Sequence, residues 1–114
     1  MESIDKARTA REALEAVGAW RDVERAGNGI RDRAGIGKLR GRRYKEPKSV
    51  LIVVSNPPHA ALARAARNFP GVEVVHVNNL SVLHLAPPGG VPGRLTLWSD
   101  AALRAMKDAG LFMR

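Results

Sequence analysis

Five consecutive apolar residues, Val50-Leu51-Ile52-Val53-Val54, constrain this chain more than any other feature. Four of the five are β-branched, Ser49 and Ser55 flank them, and Asn56-Pro57-Pro58 stops them. A strand wetted on one face alternates apolar with polar. A strand that is apolar at every position needs cover on both faces, which is the setting of parallel sheets between helical layers. Val72-Glu73-Val74-Val75-His76-Val77 reads as a second strand, broken by Asn78-Asn79, and Leu95-Thr96-Leu97-Trp98 as a third. Between and around them lie helical patterns. Over residues 3–17 an apolar stripe runs through Ile4, Ala7, Ala10, Leu14 and Val17, with Ser3 as N-cap and Gly18 as C-cap. Trp20 and Val23 add a short helical turn. Residues 59–68 form an alanine-rich helix opened by His59 and stopped by Pro70-Gly71. A last helix starts at the N-cap Ser99, with Trp98 and Leu103 at hydrophobic-staple spacing, and ends at Gly110. Leu80 to Leu85 fits either a helical turn or a strand, and Ala86 to Gly93, with three prolines and three glycines, is a loop. The expected fold class is α/β: one three-layer domain over residues 1–114 with a mainly parallel sheet. A chain of this length buries roughly two-thirds of its unfolded surface, enough for one core.

Charge is concentrated in one place. The chain carries 19 basic and 11 acidic residues, a formal net charge of +8. Nine of the basic residues fall between Arg25 and Lys48: Arg25, Arg31, Arg33, Lys38, Arg40, Arg42, Arg43, Lys45 and Lys48. Only Asp32 and Glu46 oppose them there, so these 24 residues hold +7 of the charge. Five glycines break the same segment, and its few apolar residues extend no helical face. Residues 24–48 therefore read as an extended or looped basic arm inserted between the first helix and the first strand, suited to a polyanion. Arginine and lysine supply charge-assisted bonds to phosphate oxygens, glycines let a backbone approach, and Tyr44 offers a ring to stack on a base. On these grounds the nucleic-acid-contact candidates are Arg31, Arg33, Gly35, Gly37, Lys38, Arg40, Gly41, Arg42, Arg43, Tyr44, Lys45 and Lys48.

Other chemistries find little support. With no cysteine there is no disulfide framework, thiolate zinc site or cysteine nucleophile. His59, His76 and His84 lack metal-ligand spacing, so no metal is expected. Gly35-Ile36-Gly37-Lys38-Leu39-Arg40-Gly41 follows no expected strand, its third glycine falls one place late for a dinucleotide fingerprint, and no Gly-Lys-Ser/Thr ending makes a P-loop; no cofactor is expected. Ser55 and Ser99 sit at strand ends without a nucleophile elbow and read as caps. No apolar run approaches the ~18 residues of a membrane span. Met1 to Arg11 are charged and alternating, so a secretory signal is not expected and a cytoplasmic setting is.

Several segments together resemble the large-subunit ribosomal protein L-four family, in its archaeal and eukaryotic branch. The similarity starts at Gly18-Ala19-Trp20, runs from Arg33 to Tyr44, and resumes at Ala66-Arg67-Asn68-Phe69-Pro70-Gly71-Val72. It is densest at Asn79-Leu80-Ser81-Val82-Leu83-His84-Leu85-Ala86-Pro87 and Pro92-Gly93-Arg94-Leu95-Thr96-Leu97-Trp98-Ser99. The resemblance implies a non-catalytic constituent of the large ribosomal subunit with a Rossmann-like globular domain, binding ribosomal RNA beside neighbouring ribosomal proteins. It maps the family's basic glycine loop onto Arg33 to Lys48 and adds Arg94 to the RNA-contact candidates. Ala86-Pro87-Pro88-Gly89-Gly90 carries one proline more than the usual pattern. Family members are longer: their N-terminal half supplies early strands and a loop that reaches the peptide exit tunnel. This chain resembles the C-terminal half, which implies an open sheet edge to be covered by RNA, by protein, or by a separately supplied N-terminal half.

The alternative from another class is a small α/β enzyme or nucleotide-binding module whose basic arm captures an anionic substrate. It requires a polar constellation at the C-terminal ends of the strands, where open α/β sheets bind ligands. Those ends read Ser55-Asn56-Pro57-Pro58, Asn78-Asn79 and Ser99-Asp100, with a single carboxylate.

Overall fold

The structure, a computed structural model, describes residues 1–55, 59–87 and 91–112. Its centre is the apolar run: β3 (Leu51–Val54) is buried at every position. It pairs in parallel with β4 (Glu73–His76) on one side and with β5 (Thr96–Trp98) on the other, giving the order β4-β3-β5. Register places Ile52 opposite both Val74 and Leu97. The outer edges of β4 and β5 carry no further strand among the described residues.

Side chains of β3 alternate between two apolar clusters. Ile52, with the preceding Val50 and the last residue Val54, faces Leu14, Ala19, Val23, Leu62, Ala66 and Val72. These come largely from α1 (Ala7–Ala16), α2 (Trp20–Asn28) and α3 (His59–Ala66). Leu51 and Val53 face the other way, against Val75, Val77 and Ala102, the last from α5 (Asp100–Asp108). The expected three-layer α/β architecture is therefore present: three helices, the sheet, and one long helix with a short one.

Local differences from the sequence reading have physical reasons. The first helix begins at Ala7 after Lys6, without a side-chain cap, and not at Ser3. Residues 2–4 are committed elsewhere: Ile4 packs on the first cluster and Glu2 bonds Ser55 and Ser99. Val17 lies past the helix and is exposed. Gly18 does close α1, with Gly18 N–H donating to Glu15 and Ala19 N–H to Leu14, the paired bonds of a Schellman motif. The short turn at Trp20 is a nine-residue helix that includes Arg25, because Val23 and Ala26 bury one face and Arg25 pairs with Asp22 at 2.7 Å on the other. Leu80–Leu85 resolves into a helical turn, α4 (Val82–Leu85), boxed by Ser81 and His84. Trp98 packs on the second cluster, Leu103 is 43% exposed, and the Ser99 hydroxyl, accepting from Ala102 N–H at 3.1 Å, caps α5 as expected. His59 opens α3 as expected. Asn56-Pro57-Pro58 and Pro88-Gly89-Gly90, the latter with the extra proline, lie outside the described residues.

Candidate nucleic-acid interface

The basic arm is extended, as expected, with one short 3-10 turn at its tip. It is a hairpin: β1 (Arg31–Asp32) pairs antiparallel with β2 (Tyr44–Lys45), placing Arg31 opposite Lys45 and Asp32 opposite Tyr44. Arg33 N–H donates to Arg43 C=O at 2.8 Å and continues the ladder. At the tip, Ile36–Arg40 make a 3-10 helix between Gly35 (φ 104°) and Gly41 (φ 76°). Both glycines hold backbone conformations that side-chain-bearing residues rarely adopt. Their role in the fold is to shape the tip, where the sequence reading assigned them to phosphate approach. Gly37 has no such requirement, and a Cβ there would meet only the Arg33 stem at 3.7 Å. The arm begins at residue 30, later than the expected 24, because α2 takes up Arg25.

Every residue from Ile30 to Glu46 is exposed except half-buried Gly37. Among the described residues, Arg31, Arg33, Lys38, Arg40, Arg42 and Lys45 make no side-chain ion pair. Arg43 sits 3.6 Å from Asp32 and 5.5 Å over the Tyr44 ring, both solvent-exposed contacts. The protrusion shows in the dimensions: the radius of gyration is 15.3 Å, against about 13 Å for a compact chain of this length.

The hairpin is fastened at its base to the N-terminal ends of the parallel strands. Glu46 accepts from Gly71 N–H, and Lys48 pairs with Glu73, the first residue of β4. Arg25 donates to the Lys48 carbonyl at 3.0 Å, and the Ser49 hydroxyl to the Pro70 carbonyl at 2.6 Å. Gly71 is required here: a Cβ would stand 2.3 Å from the Pro47 carbonyl oxygen, at a φ of +69°.

Two sequence candidates belong to this base and not to the exposed arm. Arg94 is 3% exposed, donating to the carbonyls of Ser49 (2.6 Å), His84 and Gly71 (both 3.1 Å) and to Glu73 at 2.5 Å. Its charge is used inside the fold, so the structure separates it from the other candidates. Lys48, half exposed, is likewise engaged with Glu73. Burial alone would raise the Glu73 carboxyl pKa, but hydrogen bonds and charge from Lys48 and Arg94 outweigh it and hold the pKa below the ordinary value.

The opposite end of the sheet holds a carboxylate from the start of the chain. The chain passes from β3 to β4 on one side and returns to place β5 on the other, so the topological switch lies between Ser55 and Ser99. The Glu2 carboxylate sits there. It accepts from Ser55 N–H at 2.8 Å, from the Ser55 hydroxyl at 2.7 Å and from the Ser99 hydroxyl. Burial would raise its pKa, yet the bonds from Ser55 and Ser99 prevail and lower it. Glu2, Glu46 and Gly71 escaped the sequence reading. Glu2 is 53 residues from Ser55 and carries no motif; Gly71 was read as a helix stop and as part of a family-like segment, with no contact to Glu46 expected.

Comparison with known proteins agrees with this architecture. A family model described as "Ribosomal protein L4/L1 family" matches residues 2–109. The chain is 60% identical over 112 residues to the large ribosomal subunit protein uL4 of Pyrobaculum aerophilum, covering 98% of this chain and 38% of that protein. It is 48% identical over 107 residues to uL4 of Methanocaldococcus jannaschii (94% and 41%) and 55% identical over 103 residues to uL4 of Aeropyrum pernix (90% and 37%). The chain thus spans about two-fifths of the length of these curated relatives. With the family match running through both the hairpin and the sheet, the chain belongs to the ribosomal protein L4/L1 family.

Proposed function

We propose that the chain is part of a structural, non-catalytic protein of the large ribosomal subunit, working on the cytoplasmic ribosome, and that its hairpin binds ribosomal RNA. Arg31, Arg33, Lys38, Arg40, Arg42, Arg43 and Lys45 would neutralise phosphates, with Tyr44 available for stacking and Gly35, Gly37 and Gly41 forming the backbone of the tip. The names of the relatives support the ribosomal setting. The observation that carries RNA contact is six exposed cations without side-chain ion pairs on one hairpin, among the described residues. The fold spends none of them on its own stability.

The same geometry disfavours the enzyme reading. An α/β enzyme would work at the C-terminal strand ends, where Glu2 already occupies the switch point, whereas the cations spring from the other end. The open edges of β4 and β5 are where additional strands of the longer relatives, or neighbouring ribosomal proteins, would pair. The test is sedimentation with large subunits, followed by trypsin. The free chain is expected to be cut between Arg31 and Lys45, and the subunit-bound chain to be protected there. Failure to sediment, or equal cleavage in both states, would count against RNA contact through the hairpin.

A further inference from the structure

The hairpin tip holds two residues that neither the fold nor the charge explains. Ile36 is 67% exposed and Leu39 87%, and neither belongs to either apolar cluster. They lie three apart in the 3-10 helix Ile36–Arg40, a geometry in which side chains at i and i+3 eclipse. The backbone therefore sets them on one face as a short ridge. The ridge is framed: Gly35 and Gly41 bound the turn, and Arg42 N–H donates to the Gly37 carbonyl at 3.1 Å to close it.

We propose that Ile36 and Leu39 are an apolar RNA-contact element, packing on the face of an unstacked base or on ribose while the flanking cations hold the phosphates. This rests on the RNA-binding reading and names the part of the surface that would recognise RNA by shape and not by charge. Charge complementarity selects the occupant. Residues 31–45 carry seven basic side chains and one acid, Asp32, which stands beside Arg43. A protein that matched this field would press acidic groups around the ridge. RNA offers phosphates and apolar base faces side by side, most accessibly in loops and bulges. Apolar side chains wedged against bases within a cationic surround are an established mode of nucleic-acid contact.

The test uses the full chain, a large-subunit ribosomal RNA transcript as probe, and the variants Ile36→Ser, Leu39→Ser and their double, titrated at several salt concentrations. The double variant is expected to bind about tenfold more weakly or worse at every salt concentration. Its log–log salt slope should match the wild type, because apolar contact releases no counterions, whereas Arg40→Ala should flatten the slope by about 1. Both side chains are exposed, so the urea midpoint should not move. Wild-type affinity in the double variant, or a flattened slope, overturns the ridge and leaves the RNA-binding reading standing. Unchanged RNA affinity with lost retention on large subunits would assign the ridge to a protein and overturn the proposal equally. A wild-type chain with no salt-dependent RNA binding would remove both.

Discussion

Arg94 and Arg40 are the same side chain put to opposite uses. At the N-terminal end of the sheet, Arg94 is 3% exposed and spreads its donors over three carbonyls and the Glu73 carboxylate. On the hairpin, Arg40 is exposed, as are its neighbours Arg42 and Arg43. The sheet end consumes its polar groups to fix the fold, and the hairpin keeps them for solvent or a partner. Charge counted along a sequence therefore says little until burial sorts it. Of the eight cations from Arg31 to Lys48, Lys48 alone pairs into the domain among the described residues, and Arg94, outside the run, does so more completely.

The sharpest way to break this comparison is to exchange the roles by mutation. Arg94→Ala leaves Glu73 half-buried with Lys48 as its one ion-pair partner among the described residues and strips three carbonyls of a donor. Glu73 is a third exposed and keeps Lys48, so the loss comes mainly from the hydrogen bonds of the buried guanidinium, on the order of 2–3 kcal/mol. Exposed arginines away from such networks change stability by roughly 0.5 kcal/mol or less. Urea denaturation of Arg94→Ala beside Arg40→Ala is thus expected to give a large loss for the first and almost none for the second. Comparable losses would erase the distinction between the two regions.

A smaller effect comes from pH. Glu2 and Glu73, at opposite ends of the sheet, both have pKa values lowered in the fold. A carboxyl depressed below its unfolded value stabilises fully above the ordinary pKa of about 4.3 and loses that contribution as pH falls through the folded value. Stability should be flat from neutrality to about pH 5 on this account and decline below it. Glu2→Gln should remove part of the decline, measured by urea midpoints across pH. An unchanged acid limb in that variant would mean the switch-point contacts contribute nothing.

The sheet was legible because the signals that define it are local. A five-residue apolar run, two further β-branched segments and glycine helix stops placed β3, β4, β5 and α5 to within a residue or two. The arm was legible as charge and as extended chain, but not as a paired hairpin. Its pairing of Arg31 with Lys45 has no alternating apolar pattern behind it, since both faces of a two-residue ribbon are wet. Contacts between distant segments were not legible at all. Nothing in Glu2 announces Ser55 and Ser99, nothing in Glu46 announces Gly71, and the place of Arg94 in a resembling motif did not say that its guanidinium turns inward. Such pairings depend on which loops the folded sheet brings to the same end.

The central claim is that the hairpin's unspent cations are a phosphate-binding surface, and the salt dependence of RNA binding tests it most directly. Six or seven phosphate contacts predict a log–log slope of roughly −5 to −6 on duplex RNA segments, from about 0.9 per phosphate. Replacing Arg40, Arg42 and Arg43 together with alanine should flatten that slope by about 3 while leaving the urea midpoint in place. A wild-type slope near −1, unchanged in the triple variant, would contradict the account.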